Sequence, residues 1–306
     1  MDDSKIQMAE AAVLYYEKKY TQQEIAQILG LTRQTVSKLL NDALREHVVE
    51  IRIHDPQKDC AELERSLCSC FGIKDASVCG VSSMHHITRQ MMTIRAAANY
   101  VLPILEQGNL NIAISWGRTI REFVNHISRV PTQGNLVYPL FGATDQDDSY
   151  FSSNEMARIL AEKIGAKFQP AWFPYRTDNY EDRLLLEKTS YFKKIQDLWK
   201  RIDIALVGIG NTHIIELFGE TFGYSFRQTN VVGDVSTHFF DEDGVIQQLH
   251  ANNMCASEAD LKQAKKVIAI ACGDDKISAI SGALKSGLID TLITDEHTAR
   301  QLLARR

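Results

Sequence analysis

The chain lacks any run of about 18 apolar residues, so a membrane-spanning helix is not expected. Its first residues, MDDSKIQ, are acidic and polar, without the basic start and apolar stretch of a secretory leader. The expected compartment is therefore the cytoplasm. An excess of positive charge is also missing: Lys and Arg number 34 against 39 Asp and Glu, a net charge of −5. Any grip on nucleic acid must then be local. The six cysteines (Cys60, Cys68, Cys70, Cys79, Cys255 and Cys272) form no CxxC pair, and CSC at 68–70 is the nearest to a motif. No histidine stands at metal-ligand spacing from them, so free, packed thiols are expected, with no metal and no cofactor. Fixed-period repeats and low-complexity tracts are absent. What remains is a chain of 306 residues, 44% hydrophobic and 24% charged, with material for about two domains.

The first 54 residues read as helical. KIQMAEAAVLYYEK, 5–18, has apolar spacing near the helical period. A second, short helix is predicted over 22–29, with Thr21 and Glu24 as a capping box and Gly30 as a left-handed stop. Thr32 caps a third helix running to about Arg45, and VVEIRIH, 48–54, alternates like a short strand. DPQKD, 55–59, is the linker candidate. Two helices hinged at a glycine suggest a helix-turn-helix. That motif needs a small residue where its helices touch, a glycine in the turn and an apolar residue where the second helix docks. With Gln22 as the first position, Ala26 is fifth, Gly30 ninth and Val36 fifteenth.

The outward face of the third helix would carry Arg33, Gln34, Thr35, Ser37 and Lys38. Arg forks onto guanine and Gln onto adenine, while Thr and Ser reach bases or phosphates. Thr21 and Thr32 stand at helix N-termini, which favour phosphate. Arg52, on the strand, would lie on the backbone as a wing. Residues 1–54 hold seven Lys and Arg against eight Asp and Glu, a balance of −1. One copy should bind DNA weakly, so useful affinity calls for several copies joined.

Residues 60–306 have another texture. NIAISWG (111–117), NLVYPLFG (135–142), IALVGIG (204–210), VIAIACG (267–273) and DTLITD (290–295) are apolar runs suited to strands covered on both faces. Helical stretches at 118–129, 154–164, 181–200 and 275–287 alternate with them, which argues a doubly wound α/β layer. FFDEDGVI, 239–246, reads as a hairpin turning near Asp243-Gly244.

YTQQEIAQILGLTRQTVSKLL precedes an α/β region carrying SWGRT, ALVGIG, VGDVSTHFFDEDG and GDDKISAISGALKSGLIDTLITDEHTA. In this arrangement the chain resembles the SorC family of bacterial sugar-responsive regulators, also called the SorC/DeoR type. The resemblance implies a winged helix-turn-helix at 1–54, a linker at 55–59, and a sugar-phosphate-isomerase-like effector and oligomerisation domain at 60–306. It implies a phosphorylated sugar as effector, operator DNA as partner, a tetramer, and no catalysis.

Open α/β sheets bind ligands at the carboxyl ends of their strands. NIAISWGRTI brings Gly117, Arg118 and Thr119 to such an end as it enters a helix, an anion cradle in outline. Gly142 ends a second strand, and Ala143 after it departs from the two glycines frequent in the family. A carboxylate such as Asp234 accepts two hydrogen bonds from a vicinal diol. Lys276, after Gly273, resembles the family lysine that reaches the phosphate. A sugar-phosphate isomerase or deaminase with a DNA-binding appendage is the competing reading, with Asp234, Asp274 or Asp275 as acid or base. His85-His86 reads as a wet loop, DQDD (145–148) as a solvated acidic loop, and DEDG (241–244) as a turn without the glutamate a calcium loop requires. WFPYR, 172–176, either packs or lines a pocket or subunit contact.

Overall fold

The computed structural model describes residues 3–46, 48–49, 60–81, 85–144, 152–211, 213, 230–247 and 252–305. The chain divides into two compact units, Met1–Asp55 and Pro56–Arg306.

In the first unit, α1 (Asp3–Ala12) passes into a π-helical stretch, Val13–Glu17, so the helix expected over 5–18 changes its winding midway. α2 (Gln22–Leu29) starts at a reciprocal cap: the Glu24 N–H donates to Thr21 Oγ1 at 3.3 Å, and the Thr21 N–H donates to Glu24 Oε2 at 2.7 Å. That second bond holds the Glu24 carboxyl below its ordinary pKa. Gly30 ends the helix at φ 65°, with open space where a side chain would stand, so backbone conformation is what asks for glycine here. Thr32 caps α3 (Arg33–Arg45), accepting from the Thr35 N–H at 3.1 Å. Ile25, Ala26, Val36 and Leu40 pack on Ala11 and Ala12 in one small core. After α3 the N–H groups of Val48 and Val49 both donate to the Ala43 carbonyl. The rest of the expected wing strand, Arg52 included, and the linker 55–59 lie outside the described residues.

The strands of the second unit are β1 (Asp75–Cys79), β2 (Asn111–Ile114), β3 (Leu136–Pro139), β4 (Lys167–Phe168), β5 (Ile204–Gly208), β6 (Gly210–Asn211), β7 (Gly233–Val235), β8 (His238–Phe240), β9 (Ile246–Gln247), β10 (Lys266–Ile270) and β11 (Thr291–Asp295). Among the described residues, seven of these form one parallel sheet in the order β1-β11-β10-β5-β2-β3-β4. The helices are α4 (Ala61–Phe71), α5 (His86–Leu105), α6 (Arg118–His126), α7 (Ser153–Ile164), α8 (Tyr180–Glu187), α9 (Ser190–Trp199), α10 (Glu258–Gln263), α11 (Ile277–Lys285) and α12 (Glu296–Ala304).

Both sheet faces are buried, which is why the strand sequences read as unbroken apolar runs. Ile204, Leu206, Ile268, Ile270 and Ile293 pack with side chains of α5, α6 and α7. Their neighbours Ala205, Val207, Val267, Ala269 and Leu292 face the other layer, with Leu67, Trp199, Ile280 and Leu302. Successive residues therefore serve opposite layers, as the strand period requires. The helix expected over 181–200 is two helices, because Thr189 starts a new one by accepting from the Phe192 N–H at 3.2 Å. The one expected over 275–287 opens as a 3₁₀ turn, Asp274–Lys276, before α11.

Strands β6–β9 make a small antiparallel sheet beside the large one. Asp241 sets its outer turn, with Oδ1 accepting from the N–H groups of Asp243 and Val245 at 3.0 and 2.9 Å. DEDG thus serves as a turn. A cap lost from the helix-turn-helix should loosen that unit. Thr21→Ala or Thr32→Ala is expected to cost about 1 kcal/mol each, read as faster amide exchange across α2 and α3 with the large sheet unaffected.

Candidate functional site

The carboxyl ends of β2, β5, β10 and β11 open onto a cavity of about 520 Å³. Two strand-to-helix junctions frame it. Gly117 leads from β2 into α6 at φ 108°, ψ 164°, and Gly273 leads from β10 into the 3₁₀ turn at φ 119°, ψ 147°. L side chains rarely adopt either conformation. Nothing lies within 4 Å of where a Gly117 Cβ would stand, so space is left beside the first turn of α6. The N–H groups of such a turn have no partner within their own helix.

Of the residues singled out in the sequence, Gly117, Arg118, Thr119, Asp234, Gly273 and Lys276 all line this cavity. Gly142 does not. A Cβ there would stand 2.5 Å from the carbonyl oxygens of Phe173 and Pro174, so close chain packing is what its glycine serves. WFPYR also lies outside the lining: Phe173 and Tyr175 are buried in the aromatic core, while Trp172 is exposed. His86, expected in a wet loop, begins α5 and lines the cavity. DQDD falls outside the described residues.

Lys276 donates from Nζ to the Ile209 carbonyl at 2.9 Å. Burial lowers its pKa, against the pull of Cys272, Asp275 and Asp234, and Arg118 adds to the lowering. Asp234 sits on β7 opposite Gly210 of β6. Burial pushes its carboxyl up to about 6, opposed by the Thr237 N–H, which donates to Oδ2 at 3.0 Å, and by Lys276. The turn after it is strained: Val235 pairs with His238, leaving Ser236 and Thr237 as a two-residue loop at φ 47° and 70°. Such turns usually hold Asn and Gly. The Asp234–Thr237 hydrogen bond holds this loop in place.

Sequence reading missed a second group on the same wall. Arg89, on α5, is 9% exposed and lines the cavity. Its guanidinium stands 3.6 Å from Asp274 Oδ2 and 3.7 Å from Asp295 Oδ1, beyond hydrogen-bond length. His297 Nε2 lies 2.7 Å from the other Asp274 oxygen. Asp295 caps α12, accepting from the Thr298 N–H and hydroxyl, and the same hydroxyl accepts from the Gly273 N–H. Asp295 was reachable, since it ends the apolar run DTLITD as Gly117 and Gly273 end theirs. Arg89 had no such local signal.

In the first unit, Arg33, Gln34, Thr35 and Lys38 are exposed and Ser37 is half-buried, while Thr21 and Thr32 are exposed caps. The face opposite the small core is thus polar and open.

Residues 55–304 match the family model "Putative sugar-binding domain". The chain belongs to the SorC family, whose sorbitol operon regulator it matches at 30% identity over 99% of its length. It is a bacterial transcriptional regulator, with a DNA-binding helix-turn-helix region and a sugar-binding domain. Residues 9–46 match the model for sigma-70 region 4. The sorbitol operon regulator of Klebsiella pneumoniae is 30% identical over 99% of this chain and 98% of that protein. The deoxyribonucleoside regulator of Bacillus subtilis (strain 168) is 29% identical over 99% of each. The crystal structure of the full-length sorbitol operon regulator SorC superposes with a TM-score of 0.73, over 99% of this chain and 100% of that one. These SorC-family relatives are named as regulators, not as isomerases or deaminases, which settles the competing reading. Among the described residues no helix is long and apolar enough to cross a membrane, and no group of three His, Cys, Asp or Glu is placed to hold a metal ion.

A pH dependence follows from Asp234. An unfolded aspartate titrates near 4, so the raised folded value favours the folded state fully below about pH 4. That contribution is lost as pH rises through about 6. Urea unfolding at pH 4 and pH 7 should show wild type losing up to about 3 kcal/mol relative to Asp234→Asn.

Proposed function

We propose that this regulator of a carbohydrate-utilisation operon is controlled by a phosphorylated sugar held in the cavity at the strand ends. The phosphate rests on the first turn of α6, at Gly117, Arg118 and Thr119, and Lys276 reaches it from the other side. Asp234 takes sugar hydroxyls. The observation that carries this reading is Lys276: an ammonium sunk beside a glycine-opened helix start, with its Nζ on the Ile209 carbonyl. Burial disfavours that cation, and a phosphate dianion restores what water no longer supplies. Gly273 frees the turn that carries Lys276. Gly142 supports the wall behind and makes no contact with the effector.

Operator DNA is read by Arg33, Gln34, Thr35, Ser37 and Lys38 on α3, with Thr21 and Thr32 at phosphates and Arg52 on the backbone. The −1 balance of residues 1–54 argues that several copies act together; the tetramer is what the SorC likeness implies, and the cytoplasm is its proposed compartment. The effector must bind two arrangements of that assembly unequally, and a coupling of about 1–3 kcal/mol is typical.

Paired variants separate the two sites. Arg33→Ala or Gln34→Ala should remove roughly 1–3 kcal/mol of preference for the cognate base, with effector titration unchanged. Lys276→Ala should weaken effector binding at least ~10-fold and spare operator affinity measured without effector. Base preference that survives both α3 changes, or an unchanged effector titration in Lys276→Ala, would contradict the assignment.

A further inference from the structure

Arg89 is poorly satisfied for so buried a cation. At 9% exposure, its Nε has no hydrogen-bond partner among the described residues. The two carboxylates that neutralise it stand at 3.6 and 3.7 Å, too far for hydrogen bonds. A buried donor left unmade is costly, and such groups in native proteins call for an explanation. Ser236, which lines the same cavity, repeats the pattern: it is 5% exposed and its Oγ also has no partner among the described residues. Neither group was used in assigning the phosphate.

What chemistry would satisfy them is set by the local charge. Arg89 contributes one positive charge, Asp274 and Asp295 two negative ones, and His297 faces Asp274. A second phosphate or a carboxylate would accept from Arg89 but would also meet two carboxylates of its own sign. A hydroxyl meets no such opposition. Its oxygen accepts from the guanidinium while its proton goes to an aspartate oxygen, and a neighbouring hydroxyl can pair with Ser236.

We propose that Arg89, Asp274 and Ser236 form a hydroxyl-reading subsite, and that the effector is therefore a polyol or sugar monophosphate whose far end is uncharged. The aspartates reject bisphosphates and phosphorylated sugar acids by repulsion, so discrimination rests on an unfavourable contact as well as favourable ones. This inference rests on the phosphate reading of Lys276 above.

Calorimetric titration of the full chain with inorganic phosphate, a linear hexitol 6-phosphate and the matching hexitol 1,6-bisphosphate tests it. The monophosphate should bind at least ~10-fold more tightly than the bisphosphate. Arg89→Ala should weaken the monophosphate by ~10-fold or more and leave inorganic phosphate unchanged. Because Arg89→Ala strands the buried Asp295, Arg89→Lys and the exposed Asp274→Asn are run beside it. Arg89→Lys should lose most of the monophosphate preference, and Asp274→Asn should narrow the gap to the bisphosphate. A bisphosphate that binds as tightly as the monophosphate, or equal losses for inorganic phosphate and monophosphate in the folded Arg89 variants, would overturn the subsite. Failure of all three probes to bind wild type would instead overturn the phosphate reading itself.

Discussion

Gly117 and Gly273 hold backbone angles that L side chains rarely adopt, each at the point where a strand of the large sheet turns into a helix. Every feature of the cavity depends on those two junctions. They end β2 and β10 at the cavity, and Gly117 leaves open space beside the start of α6. They also bring Lys276 to the cavity, where its Nζ meets the Ile209 carbonyl. A side chain at either place would ask the backbone to leave a region it occupies at a cost of about 1–3 kcal/mol. The sheet beneath is buried on both faces, so it cannot yield to accommodate the change.

On this frame the protein places charges it does not fully satisfy. Among the described residues Lys276 donates to one carbonyl, Asp234 accepts from one backbone N–H, and Arg89 has two carboxylates at a distance. A core built for stability alone would pair such groups closely or replace them with apolar side chains. Loose pairing at the carboxyl edge of a parallel sheet is what a ligand site requires, since the ligand completes the hydrogen bonds and gains affinity from groups already held in place. The strained Ser236-Thr237 turn belongs to the same pattern: local cost is accepted where it fixes Asp234 and sets Ser236 in the cavity lining.

The helix-turn-helix could be read almost residue by residue, because its determinants are local. Caps, a turn glycine and a docking valine act within a few positions of each other, and Thr21, Thr32, Gly30 and Val36 stand as the spacing predicts. The central strands were equally legible, since burial on both faces leaves long apolar runs. The edge strands were not: DASVC at β1 is polar at Asp75 and Ser77 and only partly covered, and KF at β4 is two residues long, so their composition carries little signal. α5 escaped notice for another reason. HITRQMMTIRAAANYVLPIL mixes polar residues and alanines with a proline in its last turn, and its helical pairing with the sheet is a tertiary matter. Arg89 went with it. Strand-end logic finds groups carried by the strands and their following loops, not a side chain delivered from a helix far along the chain.

A crystal structure with a bound phosphorylated polyol tests the central claim most directly. The account predicts phosphate oxygens within about 3 Å of the N–H groups of Arg118 and Thr119 and of Lys276 Nζ, with that ammonium drawn away from the Ile209 carbonyl. A phosphate seated elsewhere, with Lys276 still on Ile209, would contradict it.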